Sequence, residues 1–238
     1  MKDGKQKDLF KGMSSNETPA QYPTQALYLH GLGSGPQSSK AQIFSEYFRE
    51  RDIPFSAPDL NVPSFAKLSP HRILALIADL LEQSQGTTMV LGASFGGYLA
   101  LHTLGKLPHS LRRRISALVL LAPAIDPWQK EGALLTSERT SEWRERGMYP
   151  LLDYRKSQSV PVHYQLVREL EELGIAPTVT DITTTIIHGT LDEIVPVQGS
   201  RKYVEKNPSA KLFEVRDDHS LLRYPHLLKG QVDLILRT

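Results

Sequence analysis

The chain has 238 residues, 28 Lys and Arg against 26 Asp and Glu, a formal net charge of +2 and no cysteine. Missing thiols exclude disulfide scaffolds, cysteine nucleophiles and thiolate zinc sites, and the near-neutral balance gives no electrostatic reason to expect a nucleic-acid partner. A hydrophobic content of 40% is enough for a substantial core, and no window reaches the ~18 apolar residues of a membrane span or carries a signal-peptide core, so a cytoplasmic protein with no membrane span is expected.

Residues 1–23 are polar, with Lys2, Lys5, Lys7 and Lys11 and few large apolar side chains. Such a stretch buries too little to offset its ordering entropy and reads as a flexible tail, with Met13 an alternative start and the folded body over 24–238. The body opens with an apolar run at 26–30. Ile43, Phe44, Tyr47 and Phe48 then repeat at helical spacing, and a weaker run surrounds Phe55. Ile73, Leu74, Ile77, Leu80 and Leu81 mark a second amphipathic helix, with Ser69 as its cap and Pro70 in its first turn. Further apolar runs follow at 88–93, 116–122, 183–188 and 212–215. Near-continuous apolar runs suit strands covered on both faces, and their alternation with helices predicts an α/β fold: a mostly parallel, doubly wound sheet with ligands beyond the carboxyl ends of its strands. Residues 126–181 break the rhythm and read as a helical cap insertion without a strand, its helix at 162–173 ending on Gly174 in a left-handed conformation.

The chemistry centres on Gly92-Ala93-Ser94-Phe95-Gly96-Gly97, which links the run at 88–93 to a helical pattern over Tyr98, Leu99, Leu101 and Leu104. A G-x-S-x-G turn between strand and helix exposes its serine as a nucleophile; the alternative is an ordinary turn with Ser94 as the helix N-cap. A serine hydroxyl needs a base, and the base needs an acid. Both partners are available past later strand ends: Asp192 in His188-Gly189-Thr190-Leu191-Asp192, and His219 in Asp217-Asp218-His219-Ser220-Leu221. Asp126 competes as the acid, and His188 reads as a supporting or core residue. Backbone N–H groups of Phe95 and Leu32, the latter in the loop Gly31-Leu32-Gly33-Ser34-Gly35, are the candidate oxyanion donors. That loop is not a dinucleotide fingerprint, because Pro36 stands where the last glycine is needed. Gly31, Gly33, Trp128 and Trp143 are candidate substrate contacts, although the two tryptophans serve equally well as packing residues. Arg112-Arg113-Arg114 lacks interleaved aromatics and reads as a solvated helix end. No metal-ligand spacing occurs, and the inferred chemistry needs no cofactor.

His30, Gly31 and Ser34, the turn at Ser94, His188-Gly189 with Asp192, Val195 and Pro196, and Asp218-His219-Ser220-Leu221 together resemble the α/β-hydrolase superfamily over residues 25–236. Within it, Tyr28-Leu29-His30-Gly31 with Ser34, Pro36, Ser39, Lys40 and Ala41 is similar to small bacterial esterases of the YqiA type. The resemblance implies a serine esterase or related hydrolase, and the long insert at 126–181 keeps the family's substrate preference from carrying over; the expected substrate is a small-molecule ester or thioester with a small to medium, mainly apolar acyl group. It implies Ser94 as nucleophile, His219 as base and Asp192 as acid. Serine at position 94 speaks against the dehalogenase and epoxide-hydrolase branches, which use aspartate there. The same three residues also serve amide or carbon–carbon bond hydrolysis, and a non-catalytic binding protein on this scaffold is a further alternative.

Overall fold

The computed structural model describes residues 22–128 and 135–237; nearly all of the expected tail, and residues 129–134 of the insert, lie outside them. Among the described residues the strands are β1 (Gln25–Leu29), β2 (Phe55–Ser56), β3 (Thr88–Ala93), β4 (Ile115–Leu121), β5 (Met148–Asp153), β6 (Gln158–His163), β7 (Thr184–Gly189) and β8 (Ala210–Val215). All but β5 and β6 form one six-stranded parallel sheet in the order β2-β1-β3-β4-β7-β8. Every residue of β3 and β7 is buried, because helices cover both faces.

Alternate side chains enter two cores. Ala26 and Tyr28 pack with Phe44 and Phe48 of α1 (Ser39–Arg49) and with Leu228 and Val232 of α8 (Pro225–Leu236). Leu27 and Leu29 face the other way, toward Ile73 and Ile77 of α2 (Pro70–Gln83) and Leu99 and Leu101 of α3 (Phe95–Lys106). The predicted start of α2 holds in detail: Ser69 Oγ accepts the Arg72 N–H at 3.3 Å, with Pro70 in the first turn. Two of the three consecutive arginines are structural ties rather than free charges. After the short α4 (His109–Arg112), Arg112 bonds Asp181, and Arg114 bonds the Ser84 and Gly86 carbonyls.

The insert departs from expectation. Between α5 (Ser137–Arg146) and α6 (Gln165–Leu173) the chain forms an antiparallel hairpin, β5 against β6, and α6 begins at Gln165 rather than at 162. Two prolines hid the hairpin, since proline within a run argues against a strand. Here Pro150 and Pro161 face each other across an isolated two-stranded ribbon, where each strand needs only one bonded edge. Gly174 ends α6 with φ +69° but ψ −151°, outside the ordinary left-handed region. The connection continues through β7, α7 (Gln198–Glu205) and β8 to α8.

Trp143 is the keystone of the cap: fully buried, its indole N–H donates to the Val162 carbonyl at 2.8 Å, and its ring lies 5.4 Å from that of Tyr149. Trp143→Ala is expected to cost about 3–5 kcal/mol in urea unfolding, the range for emptying a large aromatic site. A loss below about 1 kcal/mol would mean that the cap unfolds independently of the sheet.

Candidate active site

Ser94 sits between β3 and α3 with φ 51° and ψ −117°, a conformation that costs a non-glycine residue roughly 1–3 kcal/mol. The turn is held by its own backbone. Ser94 N–H donates to Leu121 O at 2.9 Å, and Ser94 O accepts from Gly97 and Ala124 N–H at 3.0 and 3.2 Å. The elbow presses on β1 so closely that a Cβ at Gly96 would stand 2.1 Å from Leu29 O. Ser94 Oγ makes no capping bond to α3. It lies instead 3.0 Å from His219 Nε2. The elbow and the loop after β1 meet where the strand order reverses, between β1 and β3, the place at which open α/β sheets bind ligands.

His219 Nδ1 is 2.7 Å from Asp192 Oδ2, and Asp192 Oδ1 accepts the N–H groups of Ile194 and Val195 at 2.9 and 2.8 Å. Burial favours protonation of Asp192, but hydrogen bonds from His188 and His219 outweigh it and hold the carboxyl far below the usual carboxylate range. An ionised carboxylate only accepts, so the Nδ1 proton of His219 is fixed there and Nε2 is left to accept the Ser94 hydroxyl. The competing acid, Asp126, accepts the Trp128 N–H at 3.0 Å. Asp192 is the carboxylate that reaches His219.

Two supporting residues carry no signal of their role in spacing alone. Lys40 Nζ donates to the carbonyl of Ser220, next to His219 and 180 residues away in the chain. Burial pulls its ammonium down to about 8, against the opposing effect of Asp192, Asp218 and Asp217. His30 accepts the Leu60 N–H on Nε2 at 2.9 Å, so its Nδ1 donates to Gly31 O at 2.9 Å. Burial lowers the pKa of His30, in keeping with this neutral form. In a trans peptide the N–H points opposite to the C=O, so tying down Gly31 O turns the Leu32 N–H away from His30. The loop passes close over Ser94: a Cβ at Gly31 would stand 3.4 Å from Ser94 Cβ. The Phe95 N–H is in the first turn of α3, where no intrahelical acceptor exists.

Ser94 and His219 open into a cavity of about 1310 Å³ that Leu32 and Gly31 also line. The cap supplies an apolar wall through Leu135, Leu151, Leu166 and Leu170. The tryptophans and Gly33 do not form the lining. Trp143 is sealed beneath the hairpin, Trp128 packs against the core, and Gly33 docks the cap by accepting the Tyr154 N–H at 2.8 Å. Arg155 makes a second tie from cap to body: it grips the buried Asp153 through two bonds, at 2.9 and 2.7 Å, and reaches Asp59 at 3.3 Å. Among the described residues no cluster of three His, Cys, Asp or Glu is arranged to hold a metal, and no helix is long and apolar enough to cross a membrane.

A parallel six-stranded sheet with helices on both faces, a strand–serine–helix elbow at its switch point and a cap over the carboxyl edge make this an α/β-hydrolase fold. The model of the Uncharacterised protein family (UPF0227) matches residues 25–235, and the chain belongs to that family. It is 28% identical over 137 residues to mouse palmitoyl-protein thioesterase ABHD10, mitochondrial, an alignment covering 56% of this chain and 44% of the relative. For the human protein of the same name the identity is 25% over 167 residues, covering 69% and 51%. The chain thus spans about half the length of the curated relatives it matches. The structure of mouse α/β hydrolase domain-containing protein 10 superposes with a TM-score of 0.70 at 21% identity over 93% of this chain and 90% of that one. Est1E from Butyrivibrio proteoclasticus with bound ferulic acid gives 0.66 at 18% identity over 93% and 92%.

Proposed function

We propose that the protein is a serine hydrolase of carboxylic esters or thioesters with small to medium apolar acyl groups. The observation that carries this reading is the hydrogen-bonded chain from Ser94 Oγ through His219 to Asp192, opening into a cavity with an apolar wall. Ser94 Oγ attacks the acyl carbon as His219 Nε2 takes its proton, and Leu32 and Phe95 N–H groups receive the oxyanion. The bond to the alcohol or thiol then breaks, and His219 returns the proton to the leaving group. Water, deprotonated by His219, releases the acid and restores Ser94. Asp192 holds the tautomer throughout, and no cofactor takes part. The thioester arm draws support from the ABHD10 relatives, which are named palmitoyl-protein thioesterases. A cytoplasmic location is proposed from the sequence, whereas those relatives are named as mitochondrial.

Intact mass after treatment with a fluorophosphonate probe tests the nucleophile. One adduct is expected on the wild type and none on Ser94→Ala. Folded wild-type protein that takes up no adduct would overturn the proposal. Oxygen esters and thioesters of graded acyl length, assayed side by side, then separate the two arms.

A further inference from the structure

His188, the penultimate residue of β7, is fully buried, and no step above uses it. Its Nε2 is 2.8 Å from Val195 O and 3.3 Å from Asp192 Oδ2, and its Nδ1 is 2.8 Å from Ser200 Oγ on α7. A carbonyl oxygen only accepts, so Nε2 carries the proton, Nδ1 holds a lone pair, and the equally buried Ser200 hydroxyl donates to it. The ring is therefore a donor fixed from both sides, its N–H shared between the Val195 carbonyl and the acid.

We infer that His188, oriented by Ser200, is a positioning residue that fixes the Asp192 carboxylate and withdraws part of its charge from His219. This rests on the hydrolase reading above. Asp192 Oδ2 faces two imidazoles, and Oδ1 is occupied by backbone N–H groups of its own turn. The hydrogen bond from His188 is also among the influences that hold Asp192 ionised. Without the His188 N–H, the full pull of Oδ2 falls on His219. The imidazolium is then stabilised relative to the wild type. The sign follows: loss of His188 moves the acid limb of kcat/KM toward higher pH. Other charges face this group. Glu214 is the register partner of His188 on β8 and is paired with Arg201 of α7 at 2.6 Å. Lys40 approaches from α1, and Asp217 and Asp218 from the turn after β8. All remain in place when His188 or Ser200 is changed.

The test is the pH profile of kcat and KM for p-nitrophenyl acetate in the wild type, His188→Leu, His188→Gln and Ser200→Ala. His188→Leu should lower kcat about tenfold with KM within about twofold, as for a lost hydrogen bond to a charged group. Its acid limb should rise by about half to one pH unit. His188→Gln, whose amide N–H replaces Nε2–H, should restore both largely, and Ser200→Ala should fall between. A limb at the wild-type position in folded His188→Leu overturns the inference, as does a loss that tracks only melting temperature across the series. If His188→Leu does not fold, Ser200→Ala decides: a shifted limb supports the inference and an unmoved one overturns it. Fluorophosphonate labelling of the wild type is read first, so failure of the hydrolase reading is seen separately.

Discussion

Replacing Ser94 by alanine should lower kcat for any turned-over ester by about 10⁴-fold or more, because nucleophile and base act as a unit and only binding and oxyanion stabilisation survive. The fold should not suffer. Ser94 Oγ makes no capping bond and its hydroxyl serves His219, while the elbow is held by backbone bonds to Leu121, Gly97 and Ala124. Ser94→Ala is therefore expected to unfold in urea within about 1 kcal/mol of the wild type. Ser94→Gly should be at least as stable as the wild type, since glycine relieves the φ of 51°. The protein would thus keep at position 94 a residue its backbone disfavours, and stability and activity would move in opposite directions there. Residual turnover within tenfold of wild type in well-folded Ser94→Ala would remove Ser94 as the nucleophile.

Where the chain obeys a short-range rule, the sequence was legible. Apolar runs at 26–30, 88–93 and 183–188 are strands because both faces of the sheet are covered, and continuous burial leaves a continuous apolar signature. Ser69 and Pro70 announce α2 because capping is a local bond. The cap hairpin was not legible, because Pro150 and Pro161 contradict strand propensity and only their pairing across the ribbon reconciles them. Within the candidate site, Ser94, Asp192 and His219 follow strand ends and could be read as turns. Lys40 and His30 act on backbone carbonyls, and pattern within a sequence carries no trace of which carbonyl a distant side chain will meet. The tryptophans show the converse limit: Trp128 and Trp143 are compatible with substrate or core, and the buried indole bond to Val162 decides for packing at Trp143.

The second large effect is expected at Asp192. In Asp192→Asn the side-chain oxygen must choose between two sets of donors: the Ile194 and Val195 N–H groups on one side, and the His219 Nδ1–H and His188 Nε2–H on the other. If the oxygen stays with the backbone, the new amide N–H faces Nδ1 and forces the His219 proton onto Nε2, where it confronts the Ser94 hydroxyl instead of accepting from it. If the amide flips, the Ile194 and Val195 N–H groups lose their acceptor in a part-buried turn, at a cost of about 1 kcal/mol or more. The first arrangement is the cheaper one, because the His188 N–H keeps the nearer Val195 carbonyl at 2.8 Å, and it removes the base. A fall in kcat of about 10⁴-fold near neutral pH is therefore expected, with a smaller change in KM. Asp126→Asn should cost less than about tenfold, because that carboxylate is turned toward the Trp128 N–H. Steady-state kinetics on the two variants discriminate the acids directly. A larger loss at Asp126 than at Asp192 would reverse their assignment, and with it the view that the buried carboxylate after β7, rather than the one after β4, holds His219 ready to accept the Ser94 proton.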